Sequence, residues 1–300
     1  MQDTAPRAAL LSLQARVDDI RQDSWEDDRL VQIWFRSADY VVPRTDIGVF
    51  TLGTLPRDPR HRAALDGLAD EVVRLMAGRA CDPREVGTAL GDPLVLRHAS
   101  ATGRVHIRWD ARTITMRPAE PADLDEEQAR AELARRFLSW LGPSDVRAFA
   151  RWAGVTLVDA TATWSALSPE LVPVALQGEG RWILAGDEEG VCNPSASSTT
   201  RLLPQLDPLL RPEGGLGQLP APLASDLVAQ GVSPRLVNAL TGRVLSGGRI
   251  VGAWARRGGS FTVLPYGQWA APLTDGVAGE AQRIAQLLDR PLALTWLSAA

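Results

Sequence analysis

Lysine is absent from this sequence: all 32 basic residues are arginine. Every cationic contact must therefore come from a guanidinium, which suits bidentate phosphate and guanine recognition better than an ammonium does. A GC-rich genome accounts for the bias equally well. Cysteine is scarce. Cys81 and Cys192 stand far apart with no histidine at ligand spacing, which excludes a recognisable metal site and leaves two reduced thiols. No apolar run reaches the length of a membrane span and no signal peptide is visible, so a cytoplasmic location is expected. The net charge of −4 and a pI near 5.5 exclude a general polyanion binder and confine any nucleic-acid surface to a local patch. What is plentiful is apolar content: 45% of 300 residues fills the cores of two or more domains.

The chain is organised around ELARRFLSWLGPSDVRAFARWAGV, residues 132–155. Leu133, Phe137 and Leu141 fall four apart on one helical stripe, and Asp125 with Gln128 forms a capping box at its start. Gly142 and Pro143 stop that helix, Ser144 is placed to cap a second, and Gly154 ends it. A third helix over 158–167 and a hairpin over 171–185 complete a helix-turn-helix with a wing. The same order recurs upstream. A helix spans 62–76, Asp82-Pro83 caps a second to Leu90, Pro93 opens a third, and two strands flank a turn at Asp110-Ala111. Residues 29–42 read as a helix end running into a strand. Beyond a loop at 186–200, Gly247-Gly248 marks a hairpin, followed by a strand, a helix over 275–288 and a final strand. The expected fold class is α+β: tandem winged-helix units at 1–56 (incomplete at its start), 57–118 and 119–190, then a C-terminal α+β domain at 199–300, rich in β structure.

The most basic stretch is 97–117, with five arginines against one aspartate. Strand alternation puts Arg104, His106 and Arg108 on one face, a phosphate-facing wing that Arg97 and Arg112 extend. In the next unit Arg147 and Arg151 lie on the second helix, while the third carries no arginine. Asp207 in PQLDP reads as a turn cap. The ten tryptophans sit mostly at apolar-periodic positions and read as core.

Three segments, the 132–155 stretch, ATGRVHIRWD and RLLPQLDPLL with VLSGGRIVGAWARRGGSFTVLPYG, together resemble the winged-helix DNA-binding proteins that include the AlkZ-like (YcaQ-like) bacterial DNA glycosylases. The resemblance spans nearly the whole chain. It implies three tandem winged helices and a β-rich domain around a DNA channel. It also implies a Gln-x-Gln motif whose carboxamides hold the hydrolytic water for excising alkylated bases or unhooking crosslinks. The family pattern LQAQDPRSAALALRAR fits MQDTAPRAALLSLQAR without a gap, placing Gln2 on the first glutamine and Thr4 on the second. A competing register through Gln14 and Arg16 leaves too few residues before LVQIWF. Threonine offers one hydroxyl on a short arm, and the family's preceding helix is missing, as in a truncated start. The expected function is binding of double-stranded DNA, alkylated or crosslinked duplexes included, with weak or no base excision and no cofactor. Two alternatives stay open: an active monofunctional glycosylase, and a non-catalytic regulator or scaffold.

Overall fold

The computed structural model describes residues 1–3, 8–36, 38–92, 95–109, 113–195, 197, 199–210 and 221–297. The helices are α1 (Ala8–Gln14), α2 (Ile47–Thr51), α3 (Pro59–Met76), α4 (Pro83–Leu90), α5 (Val95–Ala101), α6 (Glu126–Leu141), α7 (Val146–Ala153), α8 (Leu157–Leu167), α9 (Glu188–Cys192), α10 (Ala221–Ala229), α11 (Pro234–Ala239) and α12 (Ala271–Leu287). The strands are β1 (Leu30–Phe35), β2 (Ala38–Pro43), β3 (Val105–Trp109), β4 (Ile114–Pro118), β5 (Leu171–Leu176), β6 (Glu179–Leu184), β7 (Thr200–Leu203), β8 (Gly242–Ser246), β9 (Arg249–Arg257), β10 (Ser260–Pro265) and β11 (Ala293–Trp296). The chain divides into two units, Met1–Arg7 with Glu26–Pro194, and Ala8–Trp25 with Ser195–Ala300. Residues 1–56, expected as one unit, are thus shared between the two. None of the described helices is long and apolar enough to cross a membrane.

In the first unit two hairpins fuse into one antiparallel sheet of order β2-β1-β3-β4. Residues 29–42 hold a strand pair where a helix end was expected: LVQIWF is a short apolar run whose period does not separate a helix from a buried strand. Val31, Ile33 and Phe35 alternate onto one sheet face, where they share a core with Phe137, Phe149 and Trp152 of α6 and α7. Phe137 lies 5.6 Å from Phe149 and 5.3 Å from Trp152, ring to ring. The β3–β4 hairpin closes a second core through Val105 and Met116, packed on Val72 and Met76 of α3 and Ala99 of α5.

Most local signals decide their elements as expected. Asp125 accepts from the Gln128 amide at 3.0 Å, and Asp82 accepts from the Arg84 amide at 2.8 Å ahead of Pro83. The cap of α7 is one residue later than expected. Asp145 accepts from the Ala148 amide at 2.8 Å, while the Ser144 backbone is paired with Trp182 of β6. The β5–β6 turn is two residues, Gln177 and Gly178, both at positive φ (52° and 84°), which matches the twist of a tight hairpin. Pro93 and the turn at Asp110-Ala111 lie outside the described residues.

The second unit is a mixed five-stranded sheet, β11-β10-β9-β8-β7, in which only β10 and β11 run parallel. Helix α12 makes the crossover between them and covers one face through Val277, Ala281 and Ile284. Helices α10 and α11 cover the other through Leu227 and Val237. Gly242 is required at the start of β8, because a Cβ there would meet the Trp254 ring at 2.4 Å.

Candidate functional site

The first three residues add a short strand to the β2 edge of the first unit. Gln2 pairs with Tyr40, the Asp3 amide donates to the Asp39 carbonyl at 2.7 Å, and the Val41 amide donates to the Met1 carbonyl at 2.7 Å. This register sets Asp3 directly across from Asp39 on one sheet face, with Cβ atoms about 5 Å apart by strand geometry. Both are buried, at 1% and 3% exposure, so two like-charged groups share a place without water.

Gln32, on the same face, holds one of them. Its Nε2 donates to Asp3 Oδ2 at 2.9 Å, and its Oε1 accepts from the Trp109 amide at 2.5 Å. Asp39 Oδ1 has no hydrogen-bond partner. Burial first, and the Asp3 charge second, push the Asp39 carboxyl up to about 7. The pair therefore carries a proton near neutrality, held between a group that can donate and one that can accept. Gln2 and Asp3 are consecutive in an extended segment, so the carboxamide of Gln2 leaves on the opposite face from the acids. Gln2 is itself buried. Thr4 lies outside the described residues.

Trp34 faces Asp39 across β1–β2, and its amide donates to Ser100 Oγ of α5 at 3.0 Å. One turn earlier on α5, Arg97 is exposed and lays its guanidinium over the Trp34 ring, 5.0 Å from the centroid. An arginine stacked on an indole beside a buried acid pair is the chemically richest place in the first unit.

The other expected contacts are dispersed. Arg104 is half-buried and ion-paired to Asp70 of α3 at 2.5 Å, and Arg108 lies 3.7 Å from Glu26. His106 does not join a solvent-facing basic row. It is buried at 7% exposure, because pairing with β1 makes β3 an interior strand, and burial with Arg117 and Arg44 nearby pushes its ring down to about 4. Arg147 and Arg151 are exposed on α7. Arg112 lies outside the described residues. Asp207 is fully buried, and besides capping the Leu209 amide at 3.0 Å it holds Arg16. Among the described residues no group of three or more His, Cys, Asp or Glu side chains gathers to hold a metal.

Gln32, Trp34 and Asp39 were missed by reasoning from sequence. A signal existed: each is a polar or amphipathic interruption in a short apolar run, LVQIWF or ADYVVP. Interruptions of that kind, once the run is known to be a strand, mark a face that has polar work to do.

Comparison with known proteins adds two findings. A family model described as DNA glycosylase AlkZ-like matches residues 1–287. The solved structure of the Streptomyces sahachiroi DNA glycosylase AlkZ is similar with a TM-score of 0.74, over 99% of this chain and 91% of that one, at 19% identity. That likeness establishes a shared fold. Curated protein sequences gave no match.

Proposed function

This chain belongs to the AlkZ-like DNA glycosylase family, and from that premise we propose that it binds duplex DNA through tandem winged-helix units, with weak or no base excision. Three helices followed by a hairpin occur twice, as α3–α5 with β3–β4 and α6–α8 with β5–β6. The third helix of such a unit is the one that enters a groove. In the first set that helix is α5, and the observation that carries the reading is its Arg97, exposed and stacked on Trp34. Helix α8, third in the other set, has no arginine, so its unit contributes through Arg147 and Arg151 of α7.

Arg97→Ala with Arg108→Ala is expected to weaken binding alike on all duplex sequences. The slope of log K against log salt should fall by about 0.9 for each phosphate that is no longer neutralised, roughly 1.8 for both. Arg104→Ala should cost less, because Asp70 holds its guanidinium at 2.5 Å, closer than the 3.7 Å between Arg108 and Glu26. Anisotropy titrations across a salt series check this, and an unchanged slope and affinity would remove both arginines from the DNA surface.

A second reading, an active monofunctional glycosylase, is favoured by the buried acid pair that anchors the strand carrying Gln2. Excision needs the nucleotide out of the stack and then a positioned water. Base release from N7-alkylated duplex DNA is expected to be slow or absent. Rapid release by the original chain that disappears in Gln2→Ala would establish this second reading instead. Neither duplex affinity nor release would leave a regulator or scaffold.

A further inference from the structure

We propose that Arg243 and Tyr266 form a binding site for a small, singly charged oxyanion between the second unit's sheet and the α10–α11 pair. Arg243 on β8 is 3% exposed. Its Nη1 donates to the carbonyls of Leu240 at 3.0 Å and Gly242 at 2.8 Å, which uses both hydrogens of that nitrogen. Its Nη2 is buried and meets no protein acceptor. A guanidinium does not shed its proton at any ordinary pH, so the charge remains and something must balance it. Among the described residues no carboxylate is set against it; the ionisable group that Arg243 senses is the Tyr266 phenol.

The register brings these two together. Arg243 lies opposite Ala253 on β9, and Ala253 lies opposite Leu264 on β10. Tyr266, two residues beyond Leu264, packs into the same cluster with Leu227, Val237 and Leu240. The ring of Tyr266 is half-buried, yet its hydroxyl is fully buried and also unpartnered. Burial raises the pKa of the phenol, so the hydroxyl keeps its proton and donates. Two N–H hydrogens of Nη2 and one O–H are then left without an acceptor beside an apolar cluster. That set matches the two oxygens of a carboxylate, or two oxygens of a singly ionised phosphate. A doubly charged ion fits poorly, because one guanidinium neutralises only one charge and apolar walls penalise the remainder.

The full chain is tested in chloride buffer at constant ionic strength, replacing chloride with acetate in one arm and inorganic phosphate in the other. The unfolding midpoint is expected to rise by about 3 °C per tenfold increase in the bound anion once the site fills. Isothermal titration should give saturable binding that Tyr266→Phe weakens roughly tenfold, the loss of one hydrogen bond to a charged group. Arg243→Met is expected to raise the midpoint in chloride and to abolish the response to either anion, because it removes a buried charge instead of pairing it. A response in the acetate arm alone assigns a carboxylate, and in the phosphate arm alone a phosphate. No midpoint change in either arm, or a Tyr266→Phe protein that binds as tightly as the original, overturns the proposal; this holds even if Arg243→Met does not fold.

Discussion

Replacing Asp39 with asparagine is expected to stabilise the first unit by about 2 kcal/mol at pH 8 and to remove the loss of stability that ionisation of Asp39 causes as pH rises toward 7. The carboxyl of Asp39 ionises near 7 in the folded chain against about 4 in an unfolded one. The native state therefore binds an extra proton between those values, and stability falls as pH rises through that window. The contribution is fully present below pH 4, lost progressively between about 4 and 7, and constant above. A shift of about three units corresponds to roughly 4 kcal/mol as an upper scale. Part of that is recovered by relaxation, so about half is expected from the variant. Asparagine carries no charge at any pH, and its amide can donate to Asp3 across the strand pair. His106, whose ring is pushed down to about 4, binds fewer protons folded than unfolded up to about pH 6.5, so its own contribution rises with pH and opposes that of Asp39 below that point; the asparagine variant exposes this rise, and the two proteins are compared at each pH. Hydrogen exchange over residues 38–43, corrected for the intrinsic rate and followed from pH 5 to 8, reads the anchoring of the Met1–Asp3 strand directly. An asparagine variant that is less protected than the original at pH 8, with the same pH slope, would sink the shared-proton account.

Asp207→Ala and Arg16→Met are expected to destabilise the second unit unequally, by about 2 and about 4 kcal/mol. The two side chains form a bidentate pair, with Nη1 and Nη2 of Arg16 each 2.7 Å from a carboxylate oxygen. Asp207 is completely buried, whereas the Arg16 side chain keeps 36% exposure. Losing the aspartate lets the guanidinium turn toward water. Losing the arginine leaves a buried carboxylate with, among the described residues, the Leu209 amide alone for company, which is the costlier orphan. The double variant should cost less than the two single losses added together, because each single change includes the penalty of an abandoned partner. Thermal unfolding of the four proteins gives the cycle, and limited proteolysis within 8–25 reports whether that segment has come loose. Equal losses from the two single variants would show that burial is not what sets the cost.

How much of this could be read from the sequence differs by element. The helices α4, α6 and α7 and the hairpins at 177–178 and 247–248 follow from caps, apolar stripes and turn glycines within a few residues of one another. The 29–42 stretch was misread because LVQIWF, five apolar residues and one glutamine, carries no usable period, and its partner β3 lies more than seventy residues away. Arg104 and Arg108 were legible as a basic alternation, but their acidic neighbours Asp70 and Glu26 come from α3 and a 3-10 turn at Ser24–Glu26, both distant in sequence.

The amino-acid sequence by itself determined the family, most helices and hairpins of the 57–118 and 119–190 stretches, and the arginine-only basic chemistry, all of which rest on local pattern. Tertiary structure alone decided that the two hairpins of the first unit share one sheet, which turns β3 inward and buries His106. It also decided that Asp3 meets Asp39, that Arg97 covers Trp34, and that Arg16 reaches Asp207 across 191 positions. The physical reason is common to all of them. Propensity and capping act over one or two turns of chain, whereas desolvation and charge pairing depend on which faces are pressed together, and that is known only once the chain has folded.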